Sequence, residues 1–374
     1  MRDAEEHGGD KRSLSATGLE PGDYLIVEWM RGVPARGAAI PGWSSDPFYF
    51  RAESLPFFLS TYAVAAPRGT LELDARNMSV PAVSGEGGRD VMRHAAHRVP
   101  ALVPEPSSPP MTEFLPVVQA GAGAGLEAAA LAAADAFAGR RRTGREVRAL
   151  AESVARPDGP AGRRLEGEAL VRAAYEAVMQ RIEGGGPIAD QASHVLSRGR
   201  GSRTLLLVAV LDALGVPARL ALVRPFGADP SRFRFPRLDR YAQPVVRVAV
   251  DGKVLWLDPS LRWAPFASLP AAVRGAEALV LPRPGEALRV ERTPEDAGED
   301  RYEVELRIAL DASGDADVEG TERFVGHDAA AAKGALEQVD ARSRRQVVEQ
   351  GLSRSFRGLV LSDVAVEGER RTGA

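Results

Sequence analysis

The sequence predicts a multidomain α+β protein with three parts: an N-terminal β-sandwich, a central core in which a buried helix lies against an antiparallel sheet, and a small C-terminal α+β domain. Three observations carry this. Between Asp23 and Val83, short apolar runs alternate with Pro-Gly and Ser-Gly turn signals, the pattern of a β-sandwich. Thr204 to Leu214 is apolar on nearly every side, so a helix there needs protein all round it. Beyond Pro284, Tyr302, Val304, Leu306, Ile308 and Leu310 alternate with Glu303, Glu305 and Arg307, as a half-buried strand does.

Taken in order, Tyr24–Met30, Phe48–Phe50, Phe57–Ala66 and Leu71–Leu73 are the expected strands of the sandwich, assigned to residues 15–118. Glu105–Pro110 is expected to be an extended linker, because successive prolines forbid a helix and remove ladder donors. Leu126–Phe137 and Glu146–Val154 are expected helices of a connector over residues 119–160. The core, residues 161–283, opens with Leu170, Val171, Ala174, Tyr175, Val178 and Ile182 at helical spacing, stopped by Gly184-Gly185-Gly186. Gly215-Val216-Pro217 stops the buried helix. Ala218–Val223, Val245–Val250 and Val254–Leu257 read as strands, the last two joined by Asp251-Gly252, a hairpin turn in which both residues accept positive φ. Residues 284–374 are expected to form the last domain, with a helical stretch over Ala329–Leu352 and a further strand at Leu359–Val366.

Composition removes several function classes. The chain has 374 residues, 44% hydrophobic and 26% charged, the balance of a soluble globular protein with substantial cores. Its 48 Lys and Arg against 51 Asp and Glu give a net charge of -3, so nucleic acid and anionic membrane surfaces are poor partners. A protein or peptide partner remains open. No apolar run approaches the roughly 18 residues of a membrane span, and Met1–Glu20 lacks the apolar stretch of a secretory signal. Zero cysteines exclude disulfides, thiolate nucleophiles and Cys-rich metal sites together.

The segment from Ala192 to Arg219, which runs through the buried helix into Leu214-Gly215-Val216-Pro217-Ala218-Arg219, resembles the nucleophile helix of bacterial transglutaminase-like domains, members of the papain-like cysteine hydrolase fold. Tyr241-Ala242-Gln243-Pro244 and Trp256-Leu257-Asp258-Pro259 resemble the family's second and third catalytic segments, where a His opens one strand and an Asp before Pro closes the next. Leu19–Asp23 and Glu105–Pro110 are similar to the β-rich domain of unknown function that often precedes such cores. Carried over by position, counting back from Gly215 places Arg200 at the family cysteine, or Ser202 after a two-residue slip. Gln243 stands at the histidine, and only Asp258 matches. The family chemistry needs a thiolate made by an imidazole whose tautomer a carboxylate fixes, and two of these three parts are absent.

The resemblance therefore implies a catalytically inactive member, a binding or scaffolding module of a bacterial envelope or secreted protein, with no cofactor, no metal and no catalytic residue. Arg200, Gln243 and Asp258 are expected to converge near the start of the buried helix, an amide bridging an ion pair. Two alternatives remain open: a hydrolase or acyltransferase using Ser202 or a recruited residue in the same cleft, and a structural piece of a larger protein. Ser202 reads first as an N-cap, and Asp258 as the cap of its own turn. His94 and His97, three apart with no third ligand, read as solvated loop histidines, with His7, His194 and His327 equally isolated. Gly121, Gly123 and Gly125 read as a flexible joint rather than a phosphate loop. Asp311, Ser313, Asp315, Asp317 and Glu322 imitate a calcium loop, but Ala316 occupies the place of the turn Gly, so a hairpin is expected. Finally, few residues precede Leu19 and few follow Val366, so the first and last domains are expected to be incomplete.

Overall fold

A computed structural model describes residues 2–3, 14–15 and 43–368, except 54, 104, 106–113, 123–125, 185–187, 189, 227–234, 236–237, 297–299, 338 and 354–357. The expected strand Tyr24–Met30, the Leu19–Asp23 resemblance, His7, most of the Pro-rich linker, and Gly123 and Gly125 lie outside these. The chain divides into two compact units, Met1–Ala39 and Ile40–Ala374. In the first, strands β1 (Arg2–Asp3) and β2 (Leu14–Ser15) pair antiparallel. Everything below belongs to the second.

It is a mixed α+β structure with several antiparallel sheets and, among the described residues, seven α-helices. The first part holds two sheets. Strand β9 (Val117–Ala122) is paired by β3 (Trp43–Ser44), β4 (Phe48–Tyr49) and β6 (Glu72–Arg76). The other sheet has the order β5 (Phe57–Pro67), β8 (Arg89–Val99), β7 (Val83–Glu86). Phe50, Met92 and Val118 form a small core joining the sheets, and Phe48, Tyr62 and Leu73 pack against it. His94 and His97 are both on β8 and not in a loop; His94 meets the Phe50 ring edge-on at 4.8 Å.

The central part is built around helix α5 (Arg203–Ala213), whose residues from Arg203 to Leu211 are all buried. One side packs on strands β10 (Ala218–Val223) and β11 (Gln243–Val250); the others meet α2 (Arg145–Ala155), α3 (Gly167–Arg181) and α4 (Ala192–Arg198). Helix α1 (Leu126–Arg140) and α2 bury Ala130, Phe137, Val147 and Leu150 in the same core, so the expected connector is packed into it. The helix ends are encoded locally. Ser202 caps the start, accepting from Leu205 N at 3.2 Å. At the other end Gly215 takes φ 77, letting Val216 N reach back to Leu211 O at 2.9 Å, the C-terminal turn that only a glycine adopts without strain.

The sheet has the order β12-β11-β10-β13-β14, antiparallel throughout, with β12 at Lys253–Leu257, β13 at Glu277–Val280 and β14 at Arg289–Arg292. Strand β14 lies past residue 283, where the core was expected to end. Asp251 and Gly252, at φ 50 and 72, make the expected turn between β11 and β12. Both faces of the sheet are covered. Leu220, Val246, Val248, Leu257 and Leu279 face α5, while Ala221, Val223, Val245, Trp256 and Val280 face Leu269 and Val273 in the stretch after β12. Two-sided burial explains why these strands are nearly continuous apolar runs.

The last part begins with the hairpin of β15 (Arg301–Leu310) and β16 (Ala316–Val325), closed by the Asp311–Asp315 turn, followed by α6 (His327–Glu337) and α7 (Ala341–Leu352). The expected strand at Leu359–Val366 is not one. Within it, Leu361 is held by side chains of α7: its N donates to Glu349 Oε1 at 3.1 Å, and the Arg345 guanidinium donates to its O. No helix among the described residues is long and apolar enough to cross a membrane.

Candidate functional site

The residues singled out by sequence gather, in part, where α5 starts, β11 opens and β12 ends. Gln243 is the first residue of β11 and Asp258 follows the last of β12, so pairing of these strands brings the two side chains together. The Gln243 amide Nε2 donates to Asp258 Oδ1 at 3.2 Å and to Oδ2 at 3.1 Å. Ser260 N donates to Asp258 Oδ1 at 2.9 Å, the local turn that Asp before Pro favours. Asp258 is 0% exposed. Burial therefore pushes its carboxyl above the ordinary range, opposed by the hydrogen bonds from Ser260 and Gln243 and by the nearby His327. From α3, the Tyr175 hydroxyl lies 3.1 Å from the carbonyls of Asp258 and Ala264, tying the loop to the helix layer.

Arg200 does not join them. It is exposed, between Gly199 at φ 66 and Gly201 at φ 127, and its segment runs beside Glu183: Glu183 N donates to Gly199 O at 2.7 Å and Gly201 N to Glu183 O at 3.0 Å. The two glycines turn the chain before the helix begins, so the ungapped count back from Gly215 lands outside the first turn. The expected meeting of three side chains is thereby corrected to a pair.

The cation at the helix start is Arg203, 6% exposed, which sequence reasoning passed over. Its Nε donates to Ile182 O at 2.7 Å, and its guanidinium reaches Ser260 O at 3.0 Å and Pro259 O at 3.5 Å. It thus clamps the loop after Asp258 to the end of α3 without touching the carboxylate. Burial, aided by the Arg262 charge, lowers its pKa. One signal was available in the sequence: a charged residue directly after an N-cap Ser, opening a helix with no polar face, must be buried and so must find acceptors.

Ser202, the weak alternative nucleophile, is 6% exposed and its Oγ is occupied in the cap. Among the described residues, no imidazole or carboxylate hydrogen-bonds it; His194 is exposed on α4. His327 departs most from expectation. Instead of a solvated loop, it occupies the first residue of α6 at 4% exposure, with Nδ1 3.3 Å from Ser268 Oγ and 3.5 Å from Asp300 Oδ1. Asp300 also accepts from His327 N at 2.8 Å and from Arg274 at 2.7 Å. Ser268 and Asp300 approach the same ring nitrogen, whereas a nucleophile relay needs them on opposite nitrogens. The group is a joint between α6 and the core loop. Among the described residues, no cluster of His, Asp and Glu has the form of a metal site.

The architecture is thus that of an α+β protein with a buried helix against an antiparallel sheet, and the polar group at the helix start is a carboxyl, an amide and a guanidinium. No family model matches the chain, and no curated protein does. Among solved structures it is similar to a "putative protease" from Parabacteroides distasonis, at 17% identity and a TM-score of 0.50, over 69% of this chain and 48% of that one. The chain therefore spans about half the length of that neighbour, and the likeness is one of fold.

Proposed function

We propose that the protein is a non-catalytic member of the transglutaminase-like superfamily, a binding or scaffolding module for a protein or peptide partner. The observation that carries this is the Gln243–Asp258 pair. Where the resemblance calls for an imidazole held by a carboxylate, an amide that can neither take nor give a proton at neutral pH occupies both carboxylate oxygens. The chain has no cysteine to be activated, Arg200 stands exposed at the counted nucleophile position, and Ser202 is consumed as a cap. The solved neighbour described as a "putative protease" supports this reading at the level of fold alone. The resemblance also favours an envelope or secreted setting for this reading.

The test is an assay of peptide hydrolysis and of amine incorporation into casein, using the protein and an Asp258→Ala variant. Equal, background-level turnover in both is expected. Turnover above the variant would overturn the proposal and favour a hydrolase using a recruited residue.

A further inference from the structure

The β15–β16 hairpin has two unlike faces. Tyr302, Val304, Leu306, Ile308 and Leu310 of β15 point to one side, beside their cross-strand partners Phe324, Glu322, Gly320, Val318 and Ala316. The other side carries Arg301, Glu303, Glu305, Arg307 and Ala309 against Val325, Arg323, Thr321, Glu319 and Asp317. On the apolar side the large residues stay exposed in the described structure: Tyr302 is 52% exposed, Ile308 52%, Leu310 75% and Phe324 39%. The face is nonetheless ordered within itself. The Tyr302 and Phe324 rings stack at 4.9 Å, and Leu306 leans across Gly320 so closely that an added Cβ would lie 2.4 Å from it.

We infer that this face is where two copies of the chain pack against each other, hairpin on hairpin. Two observations select a second copy over other occupants. The first is area. With side chains of this size at about half exposure, the face presents on the order of 500 Å² of apolar surface, at the top of the range for a monomer's largest patch and approaching the roughly 800 Å² per partner of a stable interface. The second is self-complementarity. Glu322 is the face's one charged residue and lies beside the Tyr302 hydroxyl, so a copy turned by a two-fold axis meets apolar surface almost everywhere. Each strand is about 34 Å long at the usual rise, and a two-stranded ribbon of that length is marginal in water unless one face is covered. Two such ribbons face to face make a small sandwich that supplies each with its missing layer. Leu306 lies mid-strand opposite Gly320, at the middle of the face, inside the overlap of two ribbons packed about their centres.

Sedimentation equilibrium over about a hundredfold concentration range tests this by mass action. A reversible monomer–dimer transition is expected, abolished by Leu306→Glu and retained by Arg307→Glu on the opposite face. Because the chain contains no cysteine, a single thiol maps the contact directly: facing sheets lie about 10 Å apart, so Leu306→Cys should be joined to its copy by a short bismaleimide, and Arg307→Cys should not. A chain that stays monomeric throughout overturns the inference, as does a dimer that survives Leu306→Glu while Leu306→Cys fails to cross-link. Circular dichroism of each variant guards against a monomer produced only by unfolding.

Discussion

The central sheet and the β15–β16 hairpin are both antiparallel and rich in Val, Leu and Ile, yet they stand at opposite ends of the burial scale. Strands β10 and β11 are covered on both faces, by α5 on one and by the loop after β12 on the other. Every residue of β15 is exposed. The difference is what flanks each strand in sequence. The central strands sit between a helix with no polar face and a segment bearing Leu269 and Val273, so two layers are supplied from within. The hairpin is joined by short turns to α6 and to a coil, and receives neither.

Amide hydrogen exchange should separate the two regions most widely. Amides of β10 and β11 should open only with global unfolding, a free energy of about 5 to 15 kcal/mol, whereas those of β15 and β16 should exchange near the rate of a frayed ribbon in dilute solution. Comparable protection in both would mean that the hairpin is covered in the monomer. Next in size is truncation of the buried helix: Leu207→Ala, at a site with 0% exposure, should cost about 2 to 5 kcal/mol through lost burial and the cavity left behind. A loss below about 1 kcal/mol in denaturant unfolding would show that α5 is less enclosed than it is drawn here.

At the site itself, two arginines should respond unequally to truncation. Arg203→Ala strips the carbonyls of Ile182 and Ser260 of a buried charged donor and should cost about 2 to 3 kcal/mol. Arg200→Ala, on an exposed turn, should fall within about 0.5 kcal/mol of the parent. Equal effects would restore Arg200 to the cluster.

Much of this was legible beforehand, and the residues say why. Helices α1 and α2 follow from helix-favouring composition, α3 from apolar spacing with a glycine stop, α5 from an all-round apolar run ended at Gly215, and the β11–β12 turn from Asp251-Gly252, because these signals are local. Gln243 and Asp258 were placed together by the resemblance to the family's second and third catalytic segments, and a two-residue turn holds the two strands in the register that joins them. What was missed depends on the chain meeting itself at a distance. The environment of His327 is built by Ser268 and Asp300 from two other segments, and β13, β14 and α4 are too short to stand out by periodicity. Leu359–Val366 has a strand's alternation but pairs with no strand among the described residues. Arg200 was misplaced because a count along the chain cannot see that Gly199 and Gly201 turn it outward.

The central claim is that Asp258 serves as a buried structural carboxyl and not as the carboxylate of a charge relay. Its pKa is raised above the ordinary 3.8 by burial. Such a group contributes its full stability below the unfolded-state value and loses it as pH rises through the folded one. The direct measurement is therefore unfolding free energy against pH for the protein and for Asp258→Asn, which keeps the shape and cannot ionise. The parent's stability relative to the variant should fall as pH climbs from 3.8 through the raised value, then level off. A relative stability that rises over the same interval would mean a depressed carboxyl, held ionised by a cation, and would contradict the claim.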